Sequence, residues 1–248
     1  EILAALQTAI AALSGNGQAV AVEPAGKLRG VRAFNPSQDD PNIEKHIILV
    51  TDGQVGNERE VVRYLAKNAA PKNIKVSTVG IDQAVNAEFL EDMAKATNGL
   101  AQVDVTSAVC NGWYRQASWN CKPLTIPAYL IAPEGQNKKA VVIVSHGSEG
   151  MSLQQRWYID HLAKQGYYGI AINHWLPRGI TRAQYAYTAA SLGKGANALN
   201  MALDVMAVAK WVRDDPRFKG YKIGHLGESM GAAVGRELNR EGLITDLV

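Results

Sequence analysis

The chain has 248 residues, enough for one large domain or two small ones. Its 26 Lys+Arg nearly balance 23 Asp+Glu, and no basic block occurs, which argues against nucleic acid or an anionic membrane surface as a partner. No apolar run approaches the ~20 residues of a membrane span. The sequence opens on Glu1 inside helix-like sequence rather than on methionine, so a removed signal peptide is allowed. The compartment stays open, with a periplasmic or other extracytoplasmic one favoured. Cys110 and Cys121, the only cysteines, lack the neighbours of a zinc site, which leaves a disulfide and two free thiols both open.

Leu3, Leu6, Ile10 and Leu13 fall at helical spacing, and Ser14-Gly15-Asn16-Gly17 stops that helix. Residues 15–42 are rich in Gly, Pro and Asp, and a hairpin from Gln18–Val22 and Leu28–Phe34 is expected there. Ile47–Val50 reads as a buried strand turning at Thr51-Asp52-Gly53. Val61, Val62, Leu65 and Ala66 line a helix face, Lys75–Val79 is a strand, and Asn86 opens a helix that Gly99 closes. Leu100–Val105 supplies the last strand of this piece. Strands alternating with helices imply a parallel sheet.

Asn111–Lys122, with Trp113, Tyr114 and Trp119, lacks periodicity and reads as a linker. The second piece begins with a strand over Leu124–Ala132. A central strand, Val141–Val144, runs into Ser145-His146-Gly147-Ser148-Glu149-Gly150. Ser152 is placed to cap the next helix and Gly166 to end it. Gly169–Asn173 is a strand, and a long helix carries Met201, Val205, Val208 and Val212 on one stripe, with Pro216 past its end. The expected organisation is thus two parallel-sheet, three-layer α/β pieces: residues 1–109, a linker over 110–123, and residues 124–248.

The strongest chemical signal is Gly227-Glu228-Ser229-Met230-Gly231, between an apolar run (Tyr221–Leu226) and a helix-like segment (Ala232–Arg240). Strand, G-x-S-x-G and helix in that order form a nucleophile elbow, which presents Ser229 at the sheet edge. The alternative is a tight turn without chemistry. An acyl-transfer site also needs N–H donors for the developing oxyanion; Met230 supplies one candidate, and the Gly147–Ser148 loop the other. His146, His174 and Arg178 are the candidate substrate contacts, although His146 is better read as fixing that loop and His174 as positioning its own. Arg178 suits a bidentate carboxylate contact, or else fixes its own loop. His161 reads as a packing or surface residue and His225 as a satisfied core group. Glu228 reads as a loop anchor or a solvated side chain. Asp204, Asp214 and Asp215, on a helix and its end, make poor triad acids. No histidine follows Ser229 before the chain stops at Val248.

With Ile126–Leu130, Val144–Ser148, Leu176–Gly179 and Gly227–Gly231 as the matching pieces, residues ~124–248 resemble the α/β-hydrolase superfamily, in its dienelactone-hydrolase-like branch. The resemblance implies a serine-nucleophile hydrolase of small esters or lactones acting through an acyl-enzyme, with no cofactor. It assigns Ser229 as nucleophile and Met230, Gly147 and Ser148 as oxyanion donors, and it supplies no acid or histidine here. Residues ~1–109, through Ile47–Gly53, Gly56-Asn57-Glu58 and Val79–Ile81 with Val85-Asn86, look like a von Willebrand factor A domain. That family binds Mg²⁺ or Ca²⁺ through oxygen ligands; Asp52 matches its last ligand, while its D-x-S-x-S loop is absent. A protein partner is implied for this part. Both ends look cut through domains, as in a fragment of a longer protein. The competing reading is a non-catalytic interaction or adhesion-type chain with an inactive hydrolase half.

Overall fold

The computed structural model describes residues 2–14, 45–51, 53, 55–80, 86–111, 120–180 and 194–240. The chain divides into two compact units, Glu1–Ala101 and Gln102–Val248. Among the described residues, no helix is long and apolar enough to cross a membrane. The expected hairpin within 15–42, the aromatic residues Trp113, Tyr114 and Trp119, the pair Ile81 and Val85, and Asp52 lie outside the described residues.

In the first unit, helix α1 (Ile2–Leu13) precedes strand β1 (Lys45–Thr51), α2 (Glu58–Asn68), β2 (Ile74–Gly80) and α3 (Ala87–Lys95). β1 and β2 are parallel, paired from Lys45↔Ile74 to Thr51↔Gly80. Leu6 and Ile10 of α1, Val61 and Leu65 of α2, and Phe89, Leu90 and Met93 of α3 join Ile74 and Val76 in one core. The side chain of Asn86 accepts the Phe89 N–H at 3.2 Å and so caps α3. Gly99 closes this segment for a steric reason. A Cβ there would stand 1.8 Å from the Val76 carbonyl oxygen. β1 departs from the buried strand expected at Ile47–Val50: Ile47 and Leu49 pack on the core while Ile48 and Val50 on the opposite face stay exposed, the alternation of a half-covered strand.

The second unit holds β3 (Ala101–Asn111, all but its first residue), β4 (Asn120–Ile131), β5 (Ala140–Ser145), α4 (Leu153–Lys164) and β6 (Tyr168–Ile172). After these come α5 (Ala198–Asp214), β7 (Lys222–Gly227) and α6 (Met230–Arg240). Its strand order is β3-β4-β6-β5-β7. β5 is parallel to both β6 and β7. β4 departs from the expected parallel sheet and runs antiparallel to β6, with Ala128 opposite Ile172. No helix separates β4 from β5, and without such a crossover the chain reverses direction instead of returning parallel. β4 also starts at Asn120, so the segment read as a linker is strand at both ends.

Cys110 and Cys121 form a disulfide between β3 and β4, which decides the choice left open by their spacing. Asn200 of α5 grips the same spot, accepting the Cys110 N–H at 2.8 Å and donating to its carbonyl at 3.2 Å. β6 is buried along its whole length, as a strand covered on both faces should be. At Gly169 a Cβ would lie 2.7 Å from the Ile159 Cβ, so glycine lets α4 settle on the sheet. Ser152 and Gln155 form a reciprocal capping box at the start of α4. α5 buries the expected Met201, Val205, Val208 and Val212, and with them the polar Asn200 and Asp204.

Candidate active site

Ser229 lies between the end of β7 and the start of α6, exposed, with φ +51°. A non-glycine residue in that region carries local strain of order 1–3 kcal/mol, which the surrounding structure must hold in place. The flanking glycines are what hold it. A Cβ on Gly227 would fall 2.1 Å from the Gly231 carbonyl oxygen, and one on Gly231 would fall 2.5 Å from the Ser145 carbonyl oxygen. The turn is closed by Gly231 N–H to the Glu228 carbonyl (2.7 Å) and Ala232 N–H to the Ser229 carbonyl (3.0 Å). Met230 is the first residue of α6, where helix geometry leaves N–H groups without intrahelical acceptors. Glu228 is tied to α4 through the Gln155 amide at 3.4 Å, which makes it a loop anchor.

The loop after β5 meets this turn. A Cβ on Gly147 would stand 3.2 Å from the Ser229 Cβ and 3.8 Å from its Oγ. His146 is fully buried and sets the loop. Its Nε2 accepts the His174 backbone N–H at 3.1 Å, so Nδ1 carries the proton and donates to the Gly147 carbonyl at 2.7 Å. Because a trans peptide points its C=O and N–H in opposite directions, the Ser148 N–H is turned away from His146. The Trp175 indole N–H holds the Ser148 carbonyl at 3.1 Å.

Beneath the loop lies a group of buried polar side chains. His174 Nδ1 meets Asp204 Oδ2 at 2.8 Å, and the Arg178 guanidinium reaches both Asp204 oxygens at 2.7 and 3.1 Å. Arg178 also donates to the His174 carbonyl at 2.7 Å, and Ser107 Oγ lies 2.6 Å from Asp204 Oδ1. Burial alone would raise the Asp204 carboxyl, but His174 and Arg178 outweigh it and hold it below the usual range. Burial pushes His146 down to about 3, helped by His174, and His225 down to about 4 for the same two reasons; His174 is also lowered by burial. All three rings are therefore neutral at pH 7.

His146, His174 and Arg178 were weighed from sequence as substrate contacts, with a loop-fixing role as the other reading of each. The structure instead places all three inside, with both ring nitrogens of each histidine and the terminal nitrogens of Arg178 turned to protein partners. Asp204, dismissed because it sits on a helix, is the hub of this group. Its signal was available: it falls on the same buried stripe as Met201, Val205 and Val208, where a lone carboxylate requires a partner. Among the described residues no cluster of His, Cys, Asp or Glu could hold a metal ion; Asp52 falls outside them.

Residues 3–108, less than half of the chain, match the family model of the von Willebrand factor type A domain. No curated protein matches. Among solved structures, a dienelactone hydrolase from Anabaena variabilis is 17% identical with a TM-score of 0.35, over 53% of this chain and 55% of that one. A thermostable carboxyl esterase from Bacillus coagulans is 16% identical with a TM-score of 0.37, over 58% and 42%. An esterase from Pyrococcus furiosus is 23% identical with a TM-score of 0.38, over 59% and 48%. The chain spans about half the length of these structures. Likeness at this level says nothing about chemistry.

Proposed function

We propose that the second unit is built for acyl transfer from small esters or lactones, with Ser229 as the nucleophile. The observation that carries this reading is the exposed Ser229 at φ +51°, between a strand and a helix and packed against Gly147. In this reading Gly227–Gly231 is a nucleophile elbow. The hydroxyl attacks the substrate carbonyl, and the tetrahedral oxyanion is received by the N–H of Met230 and by a second N–H from Gly147 or Ser148. His146 aids the second donor by fixing the Gly147 carbonyl on the opposite side of the peptide.

The reaction also needs a base, and the described histidines near the turn are committed elsewhere. General-base help is worth about 10²–10⁴ in rate, and a triad acts as a unit. Residues 1–248 should therefore hydrolyse p-nitrophenyl acetate only weakly, by oxyanion stabilisation above the rate in water. That weak rate should fall in Ser229→Ala. Turnover unaffected by Ser229→Ala would end the nucleophile assignment. Brisk turnover that needs Ser229 would mean that a histidine or another chain supplies the base.

The match of residues 3–108 to the von Willebrand factor type A domain favours a second reading, a protein-binding role for the first unit. Mg²⁺ or Ca²⁺ belongs to a complete site of that type, and Asp52 would be one ligand of it. Capture of a protein partner by residues 1–101, undiminished in Ser229→Ala, would support it; no activity and no partner would remove it.

A further inference from the structure

Ser145 ends β5 and is fully buried. Its hydroxyl lies 3.1 Å from His174 Nε2, just past β6, and 3.0 Å from His225 Nε2 in β7. One oxygen thus joins the C-terminal ends of three adjacent strands. The direction of each hydrogen bond follows from the ionised Asp204, which only accepts. His174 must donate its Nδ1–H to Asp204, which leaves Nε2 as an acceptor. Ser145 then donates to His174, and its oxygen accepts from His225 Nε2–H. The order serine, histidine, aspartate is that of a catalytic triad, but all three side chains are sealed from solvent, so no substrate carbonyl can reach this serine.

The backbone of the same residue faces the turn. The Ser145 carbonyl accepts the Glu228 N–H at 3.3 Å and abuts Gly231. Glu228 immediately precedes Ser229, and Gly231 lies two residues after it. Two residues after Ser145, Gly147 faces Ser229: a Cβ on Gly147 would come within 3.2 Å of the Ser229 Cβ. We propose that Ser145 is a positioning residue for the chemistry at Ser229, oriented by Asp204 through His174 and locked to β7 by His225. The proposal rests on the reading of Ser229 as nucleophile. Ser145 holds the turn and the Gly147 loop in one register, and the buried charge fixes the direction of every proton in the chain that holds it.

The test replaces Ser229 by cysteine and follows alkylation by iodoacetamide against pH. The native cysteines are paired with each other, so the introduced thiol is the only one to react. At the start of α6 it should ionise well below the ordinary thiol value of about 8.5. Adding Ser145→Ala or His225→Leu should raise that value by about one unit and slow alkylation near pH 7 about tenfold. His225→Gln, which keeps an N–H donor for Ser145, should restore most of the rate. If Ser145→Ala fails to fold, the His225 pair decides alone. A low thiol value unchanged by these substitutions would overturn the positioning role and leave the nucleophile reading intact. Equal slowing by His225→Leu and His225→Gln would overturn it too, as a mere loss of packing. An ordinary thiol value in the Ser229→Cys parent would overturn the nucleophile reading and the positioning role with it.

Discussion

The two units solve the same packing problem with different interiors. The first fills its core with side chains such as Leu6, Ile10, Leu65, Ile74 and Met93. The second encloses His146, His174, Arg178 and Asp204 beside a larger apolar core. Burying ions costs several kcal/mol each before pairing offsets it, so a fold that keeps them is held to a narrower geometry. That geometry lies beside the strained turn at Ser229. In the second unit the buried charges are gathered into one linked group, whereas the core cluster of the first is apolar.

The largest effect is expected at Asp204. Asp204→Ala leaves Arg178 buried without its carboxylate and should destabilise the second unit by about 3–5 kcal/mol. All five tryptophans lie in residues 102–248, so the urea midpoint by tryptophan fluorescence reports that unit alone. A loss under about 1 kcal/mol would mean that the buried pair contributes little.

Acid should act in the same place. His146 and His225 sit near 3 and 4 in the folded chain, against 6.5 for a free histidine. The unfolded state therefore binds protons that the native state refuses. The stability is fully present above pH 6.5 and is lost as pH falls through 6 toward 4 and then 3. His146 should contribute about 5 kcal/mol and His225 about 3 kcal/mol to that loss. A tryptophan-monitored midpoint that stays flat from pH 7 to 4 would contradict the neutral, buried assignment.

Glycines sharpen the contrast at smaller scale. Gly231→Ala drives a methyl into the Ser145 carbonyl and should cost about 1–3 kcal/mol. Gly56, in the first unit, has open space where a Cβ would go. Gly56→Ala should be neutral or stabilising by about 0.5 kcal/mol, mainly through the unfolded chain. Hydrogen exchange resolved by unit would separate the two. The smallest expected effect concerns metal. With Asp52 as its only candidate ligand, the first unit should show no rise in melting temperature with Mg²⁺ or Mn²⁺, whereas a site held at 100-fold over its dissociation constant would add about 2.7 kcal/mol. A metal-dependent rise abolished by Asp52→Ala would reveal further ligands.

Much of this arrangement was legible in the sequence, for reasons specific to each element. Val141–Val144 and Gly169–Asn173 are apolar enough to be strands buried on both faces. Ser152, Asn86 and the glycines at 227 and 231 carry cap and turn chemistry that depends on near neighbours only. The antiparallel β4 was not legible, because direction is set by which strand lies beside it and not by its own residues. Nor was the polar group beneath the site. Ser107, Ser145, His174 and Asp204 come from four separate elements, and only the folded sheet brings them within hydrogen-bonding distance. Spacing put His174 at the end of a strand and Arg178 in the following loop, but it could not tell whether they point out to substrate or back to Asp204.

The central claim is that the turn at Ser229 is built to accept an acyl group. The most direct measurement is to expose residues 1–248 to p-nitrophenyl acetate, quench, and map the acetyl group by peptide mass spectrometry. The account predicts acetylation at Ser229 faster than at any other serine, lost in Ser229→Ala and reduced in Gly231→Ala, which displaces the turn. Acetyl spread over surface lysines and serines, with none favoured at Ser229, would contradict it.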